Sequence, residues 1–376
     1  MKFVVEREEL VDAVNWVARS LSTRPIKPEL LGILIDVDTS ITLTGSDLET
    51  STKAILKADV ALKGKVLVPG RLLAEISRSL PAKPITFTLE GNRVLVTAGA
   101  AKFTLPTLST LEYPTLPEIP QTAGLVDSDL FATAVNQVAI AAGKDDSLPT
   151  LTGVHIEINK NNITLAATDR YRLAVRELSW QPKDSEFVAT TLLRARTLLD
   201  AAKSLTTTHS QVTLGLSPTT SNEHLVGFIS QLKTMTSRTL DGTFPPFRHL
   251  LPSESVAQAI VNVPNFLDSV RRVALVTDKT VPLRLDFGNN ILRLEAGTGD
   301  DAQATEEIEI NYTGEPIAIA FNPQYLTDGL QALGTPFVEI DFTGAAKPAV
   351  LVGKHEEHGT KDESYKYLLM PMRYSS

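Results

Sequence analysis

Apolar residues recur along this chain with two periods, and the periods predict its elements. A spacing of three to four predicts amphipathic helices over Leu10, Val14, Val17 and Leu21, over Leu130, Ala134 and Val138, and over Leu267, Val270 and Ala274. Ser128 is placed to cap the second of these, and Pro264 fits the first turn of the third. Each is followed by another helix: Leu72, Ile76 and Leu80 behind Pro69, then Leu198, Ala202 and Leu205, then Leu326, Leu330 and Leu333 behind Asn322-Pro323. Alternation with period two predicts strands over residues 33–37, 41–44, 85–89, 94–97, 154–158, 212–216, 283–287, 291–294 and 338–342. Glu90-Gly91-Asn92 and Gly288-Asn289-Asn290 supply turns between them.

One alternating stretch frames a polar tip. Ile163 and Leu165 on one side, and Leu173 and Val175 on the other, predict two half-buried strands joined through Thr168, Asp169, Arg170 and Tyr171. About a third of the chain earlier lies an echo, Leu43-Thr44-Gly45-Ser46-Asp47-Leu48, and an apolar strand over 367–373 closes the sequence.

Prolines 106, 114, 117 and 120 crowd one segment, and 245, 246 and 252 another, so the chain divides into three pieces of similar length, taken here as 1–121, 122–252 and 253–376. The same order of elements runs through each piece, which makes the expected fold class α+β: three similar domains, each with two helices packed on antiparallel sheets.

Composition narrows the function. At 376 residues the chain is long enough for two or three domains, and 43% apolar with 21% charged residues describes a soluble globular protein. Neither an export signal nor a membrane anchor is expected, because the first residues go straight into alternating, acidic sequence and no apolar run is long enough to span a bilayer. Zero cysteines remove disulfides, thiol catalysis and zinc–thiolate sites, and fit a reducing cytoplasm. A net charge of −8 argues against a generally basic surface while leaving room for a local positive one.

Catalytic chemistry finds little support. Phosphate-loop, dinucleotide and nucleophile-elbow motifs are absent from the sequence. Gly297-Thr298-Gly299-Asp300-Asp301 has no helix behind it to make an anion cradle, and His355-Glu356-Glu357-His358 is one residue short of the spacing that sets two imidazoles on one helix face. Asp47 and Asp169 fall at equivalent places in two repeats, which would separate them too far for acid–base work. Neither a catalytic constellation nor a cofactor or metal site is expected.

The opening Met1-Lys2-Phe3-Val4-Val5-Glu6-Arg7, the Leu43-to-Glu49 segment, Ala167-Thr168-Asp169-Arg170-Tyr171-Arg172-Leu173-Ala174, Leu240-Asp241-Gly242-Thr243-Phe244-Pro245 and the ending Leu369-Met370-Pro371-Met372-Arg373 together resemble the bacterial DNA polymerase III β subunit, the replicative sliding clamp. The resemblance runs end to end and in order. It implies a head-to-tail homodimer closed into a ring around duplex DNA without sequence specificity, with helices lining the hole. It implies partners that carry clamp-binding peptides: the polymerase III catalytic subunit, the clamp loader and other replication and repair proteins. No membrane is among them.

Residue by residue, the resemblance implies a peptide cleft between the second and third domains formed by Leu151, Thr168, Tyr171, Arg172, Leu173, Pro245, His249, Leu250, Pro348, Leu368, Leu369, Met370, Pro371, Met372 and Arg373. It implies DNA-facing Arg24, Arg71, Arg78, Lys144, Arg194, Arg196, Lys203, Arg271 and Arg272, and a subunit contact of Phe103 and Leu105 against Leu275 and Val276. Arg170-Tyr171 stands where enterobacterial members have Gly-His, His249 where they have Arg and Pro348 where they have Ser, so peptide preference is expected to differ. Tyr374-Ser375-Ser376, beyond Arg373, could partly cover the cleft. Two other readings compete: a DNA-independent peptide-binding scaffold, which would be monomeric, and an α+β hydrolase built on His355 and His358, which would hold metal tightly.

Overall fold

The computed structural model describes residues 1–205, 210–216, 224–252, 254–276, 281–297 and 302–373. Helices form in the regions that the three-to-four spacing marks: α1 (Arg7–Ala18), α2 (Gly70–Ser79), α3 (Ser128–Ala139), α4 (Ala195–Leu205), α5 (Val263–Val273) and α6 (Pro323–Leu333). Three of these, α1, α2 and α5, stop short of Leu21, Leu80 and Ala274, which the spacing includes. Their starts follow from local chemistry. The Asn262 side chain accepts the Asn265 N–H ahead of α5, and that of Asn322 accepts the Gln324 and Tyr325 N–H groups ahead of α6. Gly334, at φ 66°, ends α6 in the left-handed conformation that costs a glycine little. The expected cap of α3 is corrected. Ser128 is the first helical residue and its hydroxyl accepts from Ser210 N, while Asp127 Oδ1 takes the Asp129 N–H.

The chain folds into two compact units. Unit one comprises 1–129, 180–189 and 200–239. Its nine-stranded sheet runs, in spatial order, Gln181–Pro182, Thr122–Asp127, Gln211–Leu216, Leu225–Ser230, Lys233–Arg238, Thr50–Leu56, Ile41–Ser46, Gly32–Val37 and Gly64–Pro69, and a five-stranded sheet with edges Asp59–Leu62 and Ala101–Pro106 lies in the same unit. Unit two comprises 130–179, 190–199 and 240–376. Its nine-stranded sheet runs Val188–Arg194, Gly153–Asn159, Asn162–Thr168, Arg172–Ser179, Lys361–Leu369, Ala349–Lys354, Phe337–Phe342, Ala257–Asn262 and Asn311–Gly314, with a separate four-stranded sheet from Ala304–Glu309 to Ile317–Phe321. Antiparallel pairing runs through these sheets. The sheets continue across the positions where proline-rich segments divide the sequence. Lys233–Arg238 pairs with Thr50–Leu56, and Arg172–Ser179 pairs with Lys361–Leu369.

That last pairing sets the environment of the polar tip. Leu173 lies opposite Leu368 and Ala174 opposite Tyr367, so successive residues face opposite sides. On one side Leu173, Val175 and Leu368 join Ala166, Leu192, Val350, Val352, Phe244 and Phe247 in a buried cluster. On the other lies α6, brought so close that a β-carbon on Gly329 would stand 2.3 Å from a ring carbon of Tyr367. The strands around the tip are therefore buried on both faces, where alternation alone predicted half-burial. The closing strand begins at Lys361 and ends at Leu369, earlier at both ends than its apolar run predicts. Its first four residues, Lys361-Asp362-Glu363-Ser364, are all charged or polar, and Pro371, with no N–H to offer a ladder, follows its end.

Candidate functional site

The tip between Asn162–Thr168 and Arg172–Ser179 is a turn fixed by its own side chains. Asp169 Oδ1 accepts the N–H groups of Tyr171 and Arg172, both at 3.1 Å. Thr168 Oγ1 accepts from Arg170 N at 3.2 Å and donates to Arg172 O at 2.7 Å. Arg170 takes φ 79°, a left-handed conformation unusual for a residue with a β-carbon. The echo near the chain start folds identically, bond for bond. Asp47 Oδ1 accepts from Glu49 N and Thr50 N, Ser46 Oγ accepts from Leu48 N and donates to Thr50 O, and Leu48 takes φ 77°.

The two turns part at their last residue. In the first it is Thr50. In the second it is Arg172, whose side chain is 5% exposed and must find its counter-charges inside the protein. Nε lies 2.9 Å from Asp169 Oδ2, Nη1 lies 2.7 Å from Asp328 Oδ2, and the guanidinium stands over the Tyr325 ring, 4.2 Å from its centroid. The Tyr367 hydroxyl donates to Tyr325 O at 2.9 Å, and burial pushes it well above an ordinary phenol, so it stays a neutral donor. Tyr171 is 57% exposed, its ring 6.4 Å from that of Tyr325.

Two further segments are tied to this turn or to the buried cluster beside it. Beyond the last strand, Met370 N donates to Tyr171 O at 2.9 Å and Met372 N to Ala320 O at 2.8 Å, so the Met-Pro-Met segment is tied by its backbone with Met370 38% exposed. The segment 244–250 lies against the buried cluster through Phe244 and Phe247. It is held from outside by Arg248, paired through both terminal nitrogens with Glu157 at 2.9 and 3.0 Å, and by His155 stacked on Phe244 at 5.0 Å. Burial draws His155 below the ordinary imidazole range, against an opposing pull from Glu157. Beside the turn opens a depression of about 310 Å³ walled by Leu148, Leu151, Asp169, Arg170, Tyr171 and Tyr325, with Lys144 and Asp145 at its edge.

The residues expected to form a cleft thus separate into a rim and a support. Tyr171, Pro245, His249, Leu250, Met370 and Arg373 are exposed, and Thr168, Pro348, Pro371 and Met372 are half-buried. Leu151, Arg172, Leu173, Leu368 and Leu369 are buried. Leu151 and Arg172 still line the depression beside the turn, whereas Leu173, Leu368 and Leu369, on strands at the middle of a sheet covered on both faces, hold the rim from beneath instead of forming an open wall. Residues 374–376 lie outside the described residues.

The expected DNA-facing cations lie on exposed positions: Arg24 in the loop after α1, Arg71 and Arg78 on α2, Arg194 at the end of a strand, Arg196 and Lys203 on α4, Arg271 and Arg272 in the last turn of α5. Lys144 lines the depression by the turn. Arg271 and Arg272 have carboxylate partners: Arg271 Nη1 lies 3.6 Å from Asp268, and Arg272 Nε and Nη2 bind Glu306 at 3.0 and 2.5 Å, the Arg272 hydrogen bond being the main cause holding the Glu306 carboxyl below its ordinary range. Of the expected subunit-contact residues, Leu275 is 82% exposed just past α5, Val276 is half-buried, and Phe103 is half-buried on the edge strand Ala101–Pro106. Leu105, on the same strand, is fully buried, so its side chain belongs to this chain's own core. His355 to His358 form a turn between two strands, with Glu357 accepting from Asn311 Nδ2, and residues 298–301 of the glycine-rich loop lie outside the described residues.

Asp328 and Tyr325 escaped the sequence reading. Asn322-Pro323 had fixed the helix start, and the apolar set Leu326, Leu330 and Leu333 its buried side; what was missing was that the side chain opposite Asp328 would be an arginine 156 positions away.

Comparison with known proteins gives a consistent answer. Residues 1–117, 125–246 and 248–373 match, in turn, the N-terminal, central and C-terminal domains of the DNA polymerase III beta subunit. The chain is 46% identical to the beta sliding clamp of Streptomyces coelicolor, over all of both chains, and 41% identical to a beta sliding clamp homolog, GriR, of Streptomyces muensis, again over all of both. Among solved structures it resembles the Pseudomonas aeruginosa sliding clamp bound to griselimycin, with TM-score 0.92, 27% identity and full coverage of both chains, and the Bacillus subtilis clamp, with TM-score 0.90, 25% identity and full coverage of both.

Proposed function

The chain belongs to the DNA polymerase III beta-subunit family, the sliding clamps, and is a non-catalytic processivity factor; on that premise we propose which of its surfaces do the work. Two copies join head to tail around duplex DNA in the cytoplasm, each contributing three domains divided near 121 and 252. The ring recruits the polymerase III catalytic subunit, the clamp loader and repair proteins through short peptides. A ring holds DNA by topology, so weak phosphate contacts from exposed cations such as Arg71, Arg78, Arg196 and Arg271 suffice, and no base readout is needed.

The peptide seat is the rim of Tyr171, Pro245, His249, Leu250, Met370 and Met372. The observation that carries this reading is exposed apolar surface, Tyr171, Leu250 and Met370, set on a rigidly buried support. Methionines at such a rim adapt to more than one anchor side chain. Truncating a hot-spot anchor costs on the order of 2 kcal/mol. Met370→Ala is therefore expected to weaken binding of a Gln-Leu-x-Leu-Phe peptide by tens of fold in titration calorimetry, with the melting temperature little changed because the side chain is partly exposed. Equal affinity with a lowered melting temperature would place Met370 in the core instead.

Two measurements separate a ring from a scaffold. Charged replacements of Leu275 and Val276, which present apolar surface past α5, should give a folded monomer by mass. Retention on closed circular DNA should survive salt that strips proteins bound only by charge, and be lost on cutting the circle.

A further inference from the structure

We infer that Asp328, on α6, is a positioning residue of the peptide seat, acting through Arg172 on the turn that carries Tyr171. This rests on the reading of the rim as a peptide seat. The path is continuous and short. Asp328 Oδ2 binds Arg172 Nη1 at 2.7 Å, Arg172 Nε binds Asp169 Oδ2 at 2.9 Å, and the other oxygen of Asp169 accepts the Tyr171 N–H at 3.1 Å. The Tyr171 carbonyl in turn accepts the Met370 N–H at 2.9 Å. Gln324 Nε2, at 2.8 Å from Asp328 Oδ1, fixes the carboxylate at the start of this path.

The Asp47 turn shows why Asp328 is not there to make the turn fold. The same bonds form between Asp47 and the N–H groups of Glu49 and Thr50 with threonine in place of arginine at the end. What Asp328 adds is a second carboxylate for a buried guanidinium. Without it, Asp169 would be the only carboxylate paired with Arg172, and its other oxygen holds the Tyr171 and Arg172 N–H groups in place. Asp328 takes one side of the guanidinium and leaves Asp169 oriented for the backbone. It does so from a separate element, since α6 packs on the strand that leads into Met370.

The four methionines of the chain report on this directly. Met370 and Met372 stand at the rim, whereas Met1 and Met235 belong to unit one. In the full-length chain labelled at methionine methyls, Asp328→Asn should shift or broaden the Met370 and Met372 resonances and leave Met1 and Met235 in place. It should also weaken the Gln-Leu-x-Leu-Phe peptide about tenfold, within the range by which residues outside a ligand's contact alter its affinity. Asp328→Glu, which keeps the ion pair, should bind within about threefold of wild type. Gln324→Ala removes only the amide that orients the carboxylate and should give the same shifts with a smaller loss. Unmoved Met370 resonances and unchanged affinity in Asp328→Asn, or in Gln324→Ala should the first variant not fold, would overturn the inference. If Met370→Ala weakens the peptide and these variants do not, the seat stands and Asp328 has no part in it; if Met370→Ala is also without effect, the seat itself is misassigned and the inference falls with it.

Discussion

The turns at Asp47 and Asp169 share one backbone and differ in what that backbone carries. In each, an aspartate and a hydroxyl hold the chain reversal and the residue after the aspartate is left-handed, at φ 77° and 79°. The first ends in Thr50, whose hydroxyl lies 3.4 Å from that of Ser237. The second ends in a buried cation with two carboxylates and a ring around it. A local hydrogen-bond frame of this kind is self-sufficient, and its recurrence says nothing of function. The two frames differ at the one position where a demanding side chain joins distant elements.

The largest expected effect breaks the comparison at that position. Arg172→Met leaves the Asp169 and Asp328 carboxylates without their cation, and disrupting a buried pair costs on the order of 3 kcal/mol. Thr50→Ala removes one neutral hydroxyl and should cost about 1 kcal/mol. Calorimetric melting of the two variants checks this; equal shifts would mean that the second turn is no more than the first.

A smaller effect distinguishes the aspartates. Asn at position 47 keeps the oxygen that accepts the two N–H groups, and the loss should stay under about 0.5 kcal/mol, whereas Asp169→Asn also removes a charge from Arg172 and should cost about 2 kcal/mol. The smallest effect should be the same in both. Leu48→Gly and Arg170→Gly each relieve a left-handed residue, and each should raise the melting midpoint by the equivalent of about 0.5 kcal/mol, net of the added freedom of the unfolded chain. A gain in one turn only would show that the frames are not equivalent.

How far the sequence could be read follows from the same contrast. The turn frame, the helix starts at Pro69, Pro264 and Asn322-Pro323, and the antiparallel α+β class were legible because each depends on residues within a few positions of one another. Family membership was legible because motifs such as Ala-Thr-Asp-Arg-Tyr-Arg-Leu and Met-Pro-Met-Arg survive as strings. Burial was not. Leu173 and Leu368 look like candidates for an open wall until the register pairs them in the middle of a nine-stranded sheet, and Leu105 looks like a contact residue until its strand is seen to turn it inward. Charge pairing across long separations was equally hidden. Arg172 with Asp328 and Arg272 with Glu306 each join elements whose relation only the fold supplies.

The pairing of Arg172–Ser179 with Lys361–Leu369 has a consequence for how the protein comes into being. The two strands are separated by roughly two hundred residues, and contacts of such long range form late and slowly. During synthesis the strand at 172–179 and its hairpin partner Asn162–Thr168 are both complete long before the second neighbour of that strand exists. The edge of 172–179 away from its hairpin partner is then a row of unmatched N–H and C=O groups beside Leu173 and Val175, the arrangement that invites pairing with the wrong chain. The segment that seals this edge also carries Met370 and Met372 at its end, so a chain that has ordered the proposed peptide seat has also closed that edge.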